Sequence, residues 1–70
     1  MQIKLKINGK NLAIDALNAQ ELTALVAHLG YSGKRIAVER NGEIVPRSQY
    51  VQTLLHEGDV LEIVVAVGGG

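Results

Sequence analysis

The sequence has no cysteine and no phenylalanine, and Pro46 is its one proline. Without cysteine there are no disulfides, no thiolate nucleophile and no zinc knuckle, which excludes a disulfide-stapled secreted scaffold. The fold must hold by packing alone. Only Tyr31 and Tyr50 could stack on a base, and seven basic residues balance seven acidic ones, so nothing marks a nucleic-acid surface. No apolar run approaches the ~20 residues of a membrane span. The opening Met1-Gln2-Ile3-Lys4-Leu5-Lys6 alternates polar and apolar residues, unlike the apolar stretch of a signal peptide. These absences make a cytoplasmic protein, away from membranes and nucleic acid, the expectation.

What is present suffices for one domain of 70 residues, 47% hydrophobic and 20% charged. A chain this short buries only about 60% of the surface its unfolded form exposes, which leaves little room for a deep catalytic cleft. Met1, Ile3, Leu5 and Ile7 alternate with Gln2, Lys4 and Lys6, the period of a strand with one wet face. Asn8-Gly9 tolerates the positive φ of a two-residue hairpin turn, and Leu12 and Ile14 resume the alternation. Residues 1–15 therefore read as a β-hairpin.

Asn18 with Glu21 three residues later reads as a capping box, and Leu17 with Leu22 as a hydrophobic staple. Leu22, Leu25, Val26 and Leu29 form one apolar stripe, and Gly30 supplies a left-handed end, predicting a helix of about three turns. Ile36 and Val38 read as a third strand. Asn41-Gly42 is a second hairpin signal, and Glu43-Ile44-Val45 stops at Pro46, as an edge strand would. Arg47 to Leu55 reads as a short helical crossover with Ser48 as its cap, and Glu57-Gly58-Asp59 as a solvated turn. Val60 to Val67 is the longest apolar strand, suited to a sheet centre.

Two hairpins around one helix, with the last strand between them, describe an α+β chain of the β-grasp or ubiquitin-like kind. The expected sheet order is 2-1-5-3-4, with residues 1–67 as the domain and 68–70 as a flexible glycine tail. Leu61, Ile63 and Val65 should face the helix, leaving Val60, Glu62, Val64 and Ala66 on the open face. Ala37 and Glu39 should border them on one side, Lys4 and Lys6 on the other. This apolar strip with charged borders suits a transient docking site, with Val64, Ala66, Glu62 and Ala37 as its candidate residues.

Conventional catalytic constellations are missing. His28 and His56 are the only histidines, fewer than a zinc site draws upon, so no metal ligand set is expected. Ser48 has no histidine near it in sequence. Gly68-Gly69-Gly70 follows a strand but opens no helix, so it is no phosphate loop. These glycines bury nothing and cost ordering entropy, which makes little sense for stability. As a probe they do make sense. A tail without side chains can thread a narrow tunnel, and at about 3.3 Å per residue the four residues from Val67 reach roughly 13 Å. The competing reading is a disordered end or an appended remnant.

The segments Asn41-Gly42-Glu43-Ile44-Val45-Pro46-Arg47-Ser48, Gly58-Asp59-Val60-Leu61-Glu62-Ile63-Val64 and Val67-Gly68-Gly69-Gly70 resemble the thiamin-biosynthesis sulfur carriers of the ThiS family. That resemblance spans the chain and implies a protein co-substrate, not an enzyme, with no bound cofactor and a monomeric free state. It implies that a ubiquitin-activating-like adenylyltransferase uses ATP to activate Gly70. A cysteine-desulfurase-linked donor then supplies sulfur, and the Gly70 thiocarboxylate passes it to thiazole synthase. Gly70 is then the reactive position, Gly69 its essential neighbour and Gly68 a more permissive one. Tyr50, where many members have tryptophan, reads as a cover over the core edge. The rival with the same fold is the small subunit of molybdopterin synthase, whose members carry aromatics and consecutive prolines before the terminal glycines. Ile63-Val64-Val65-Ala66-Val67 has neither. A ubiquitin-like modifier or plain binding module is the remaining alternative.

Overall fold

The computed structural model describes residues 2–15 and 20–66. Its elements are β1 (Gln2–Ile7), β2 (Lys10–Asp15), α1 (Leu22–His28), β3 (Ile36–Arg40), β4 (Glu43–Val45), a 3₁₀ helix (Arg47–Gln52) and β5 (Val60–Val65). They build a five-stranded sheet in the order β2-β1-β5-β3-β4. The expected order is therefore the observed one. β5, last in the chain, lies at the centre, parallel to β1 and antiparallel to β3.

The two hairpins owe their register to their turns. Asn8 and Gly9 have φ of 51° and 81°, and Asn41 and Gly42 have φ of 52° and 88°, the positive pair that matches a tight turn to strand twist. Ile3 then faces Ile14, and Leu5 faces Leu12, so both strands turn their aliphatic residues to one side. Among the described residues β4 pairs only with β3, and it stops before Pro46, which has no N–H to extend a ladder.

One core fills the space between sheet and helix. Leu22, Leu25, Val38, Leu55 and Leu61 are fully buried. Burial of such side chains contributes about 1.5–3 kcal/mol each. Tyr50 is buried with them, deeper than the edge cover expected of it.

The helix begins differently from the capping-box expectation. Glu21 is extended (φ −77°, ψ 142°), bridges to Leu54 and makes no side-chain cap bond. Leu22 N–H donates to Thr53 C=O at 2.9 Å, and Leu55 N–H donates to Gln20 C=O at 2.8 Å. Pairing with a distant segment thus satisfies the first amide where a local cap was expected. The helix is seven residues long, two turns instead of three. Asn18 and Leu17 lie outside the described residues. The far end follows expectation: Gly30 (φ 88°) donates to Ala27 C=O and Tyr31 N–H to Val26 C=O, the doubly bonded glycine termination. Ser48 does not cap the 3₁₀ helix; Pro46 precedes it without a side-chain cap bond.

Candidate functional site

Asp59, Arg40, His56 and Glu57 are engaged in hydrogen bonds within the fold. Asp59, expected in a solvated turn beside Glu57, is buried at 7% exposure. Its carboxylate accepts from Arg40 Nε at 2.9 Å, Asn41 Nδ2 at 3.1 Å and the His56 amide at 2.9 Å. Burial pushes its pKa up, but those hydrogen bonds and the Arg40 charge outweigh burial and hold it below the usual carboxylate range. Arg40 Nη2 also lies 3.0 Å from His56 Nδ1, which must accept because a guanidinium only donates. Glu57 turns the other way and accepts from the Lys4 amide at 2.7 Å. Among the described residues no group of three His, Cys, Asp or Glu is placed to hold a metal ion. No helix among them is long and apolar enough to cross a membrane.

The open sheet face carries the exposed aliphatic residues. Along β5 the alternation puts Leu61 and Ile63 in the core and leaves Val60 41% and Val64 62% exposed, with Glu62 and Ala66 exposed beside them. Ala37 stands opposite Val64, and Glu39 opposite Glu62. The four candidate docking residues Ala37, Glu62, Val64 and Ala66 are therefore neighbours on one surface. Ile44 joins them from β4, opposite Glu39 and 65% exposed. Sequence reasoning passed over Ile44, although alternation against the half-buried Val45 signals its outward face. Glu39 and Glu62 put like charges directly across a ladder, which costs about 0.2–1 kcal/mol in a sheet.

The lysine border is shorter than expected. Lys6 pairs with Val60, and Lys4 lies back beside Gly58, whose amide donates to Lys4 C=O. Beyond that point the neighbour of β5 is Asn8. Its Oδ1 accepts from Ile63 N–H at 2.7 Å and its Nδ2 donates to Ile63 C=O at 3.1 Å. One side-chain amide thereby continues the ladder past the end of β1. On the other side Ala66 N–H donates to Arg35 C=O at 2.9 Å, so the chain stays bonded one residue past β5, to the last described residue. Val67 and Gly68-Gly69-Gly70 lie outside the described residues.

A sequence model of the ThiS family matches residues 5–70, almost the whole chain and the glycine end with it. The chain belongs to the ThiS family. The sulfur carrier protein ThiS of Bacillus subtilis is 36% identical over 66 residues, covering 94% of this chain and 98% of its own. The structure of the thiamine biosynthesis protein ThiS from Geobacter metallireducens superposes with a TM-score of 0.80 at 30% identity, covering 97% of this chain and all of that one. A chain in the complex of subunits 1 and 2 of molybdopterin-converting factor from Helicobacter pylori reaches 0.55 at 25% identity, with full coverage of both. This ThiS-family chain spans a fifth of the length of two curated relatives called thiazole synthase, of which that from Paramagnetospirillum magneticum is 46% identical over 68 residues. The fold thus stands nearer the thiamine biosynthesis protein than the molybdopterin factor.

Proposed function

We propose that this ThiS-family chain is a sulfur carrier of thiamin biosynthesis whose working group is the α-carboxylate of Gly70. Residues 1–67 act as the carrier body and residues 68–70 as the tail. The observation that carries this reading is the family match running through Gly68-Gly69-Gly70, which supports a native tail over an appended remnant.

A carboxylate is a poor electrophile, so sulfur transfer needs activation. An adenylyltransferase related to ubiquitin-activating enzymes joins the Gly70 carboxylate to the α-phosphorus of ATP, releasing pyrophosphate. The terminal sulfur of a persulfide on a cysteine-desulfurase-linked donor then displaces AMP to form an acyl disulfide, and a thiol reductant cleaves its S–S bond to leave the thiocarboxylate. Thiazole synthase is the acceptor, and relatives that bear that name and contain a ThiS-like stretch support the pairing. Ala37, Glu62, Val64 and Ala66 dock these partners in turn, while Gly68 and Gly69 let the tail pass a narrow channel. ATP is bound by the partner, and the chemistry belongs in the cytoplasm.

The test changes the tail alone. One residue added after Gly70 moves the carboxylate by about 3.3 Å and puts a peptide bond where activation occurs. Deleting Gly70 withdraws it by a similar distance. Misplacement by even ~1 Å can cost on the order of 10²-fold in rate, so both changes abolish ATP–pyrophosphate exchange with the adenylyltransferase. Gly69→Val blocks passage, and the melting temperature stays at the parent value throughout. An untrimmed extended protein that still exchanged oxygen for sulfur, seen by intact mass, overturns the carrier reading in favour of a plain binding module.

A further inference from the structure

A groove of about 360 Å³ lies on the helix side of the molecule, between α1, the loop that follows it and the 3₁₀ helix. Val26, Ile36 and Tyr50 are among the residues that line it, and Lys34, Arg35 and Arg47 stand around it. These are three of the seven basic residues of a chain with no net charge, and no Asp or Glu lines the groove among the described residues. None of the three is in an ion pair among the described residues, where Arg40 is the cation that Asp59 neutralises. Burial raises the pKa of Tyr50, with the Arg47 charge pulling it partly back, so the hydroxyl stays protonated and able to donate.

We infer that this groove docks an acidic segment of a partner protein, with its carboxylates on Lys34, Arg35 and Arg47 and an apolar side chain against Val26, Ile36 and Tyr50. The chemistry favours carboxylates on a chain over a free phosphate. Phosphate cradles use a run of converging backbone amides, and here two of those along the groove, of Tyr31 and Lys34, are already spent on the Val26 and Tyr31 carbonyls. Those same bonds fix the wall before anything binds, which lowers the ordering cost of docking. Position adds a role. Arg35 holds Ala66 at the root of the tail, so a partner gripping the groove is gripped beside the point where the tail departs. The groove is distinct from the open sheet face, and naming thiazole synthase as the partner rests on the carrier reading above.

Two measurements test this. In the first, the ¹⁵N-labelled protein is titrated with a short synthetic peptide of glutamates around a single leucine. Amide shifts should concentrate at Lys34, Arg35, Arg47 and Val51 and saturate. They should vanish in Arg47→Glu, persist in Lys10→Glu, which changes net charge equally, and not be reproduced by inorganic phosphate at matched ionic strength. Absent shifts, or shifts shared evenly with Lys4, Lys6 and Lys10, overturn the groove. In the second, thiazole synthase from the same organism is titrated at low salt (about 10 mM, Debye length about 30 Å) and near 1 M (about 3 Å). Arg47→Glu should weaken low-salt binding about tenfold and Lys10→Glu less than about twofold, with both differences gone at high salt. Tight synthase binding indifferent to Arg47→Glu overturns the inference and leaves the carrier reading standing. Groove-specific peptide binding with no affinity of the parent for the synthase does the reverse.

Discussion

Removing the charge of Asp59 takes one acceptor from three donors at once, on Arg40, Asn41 and His56. Hydrogen bonds to charged groups contribute about 1.5–3 kcal/mol, so Asp59→Asn should lower stability by about 1–3 kcal/mol near neutral pH. The folded-state pKa is depressed, so this contribution is complete above the unfolded carboxylate value, near ~3.9, and is lost as pH falls through the folded value. Thermal melts of parent and Asp59→Asn should therefore converge as pH drops below about 4. A gap constant down to pH 2 would mean the carboxylate charge is not what holds the turn. Asp59 was legible as a turn residue and nothing more. Its partners on β3 and the following turn lie 18 and 19 residues away, and only the sheet order brings them together.

Strand order also decides what Asn8 does. As half of an Asn-Gly pair it was readable as a turn former from local chemistry alone. Its second task, bonding both backbone groups of Ile63 across 55 residues of sequence, depends on β5 running parallel to β1. Asn8→Ala should cost about 1–3 kcal/mol, for it leaves a donor and an acceptor unmet and strains a positive φ. The local readout is hydrogen exchange: the Ile63 amide should exchange faster by far more than the Val38 amide. Equal protection in parent and variant would show the ladder ending at Ile7. The strands were legible because alternation and Asn-Gly turns are short-range signals. The start of α1 was misread because Glu21 obeys the long-range bridge to Leu54, which outweighs its capping propensity.

As a whole the protein has little stability to spare. At ~0.05–0.15 kcal/mol per residue, the 70 residues hold about 3.5–10 kcal/mol in total. Leu25 is fully buried in the single core, and truncating such a leucine costs about 2–5 kcal/mol. Leu25→Ala should then lower the melting temperature by about 8 °C or more, at about 4–8 °C per kcal/mol, while exposed Lys4→Ala leaves it in place. Calorimetry showing equal losses would reject the assigned faces of β1 and α1.

The central place of β5 has a mechanical consequence. The strand that leads toward the glycines is bonded to β3 on one edge and to β1 and Asn8 on the other. Tension applied along the axis of β5 loads the bonds on both of its edges in shear, whereas an edge strand pulled the same way has bonds on one side alone to share the load. A pull on the end of β5 is therefore resisted on both sides of the strand before the body behind it unravels. Force entering at Ala66 passes through β5 into the rest of the sheet, and the described body moves as a rigid handle.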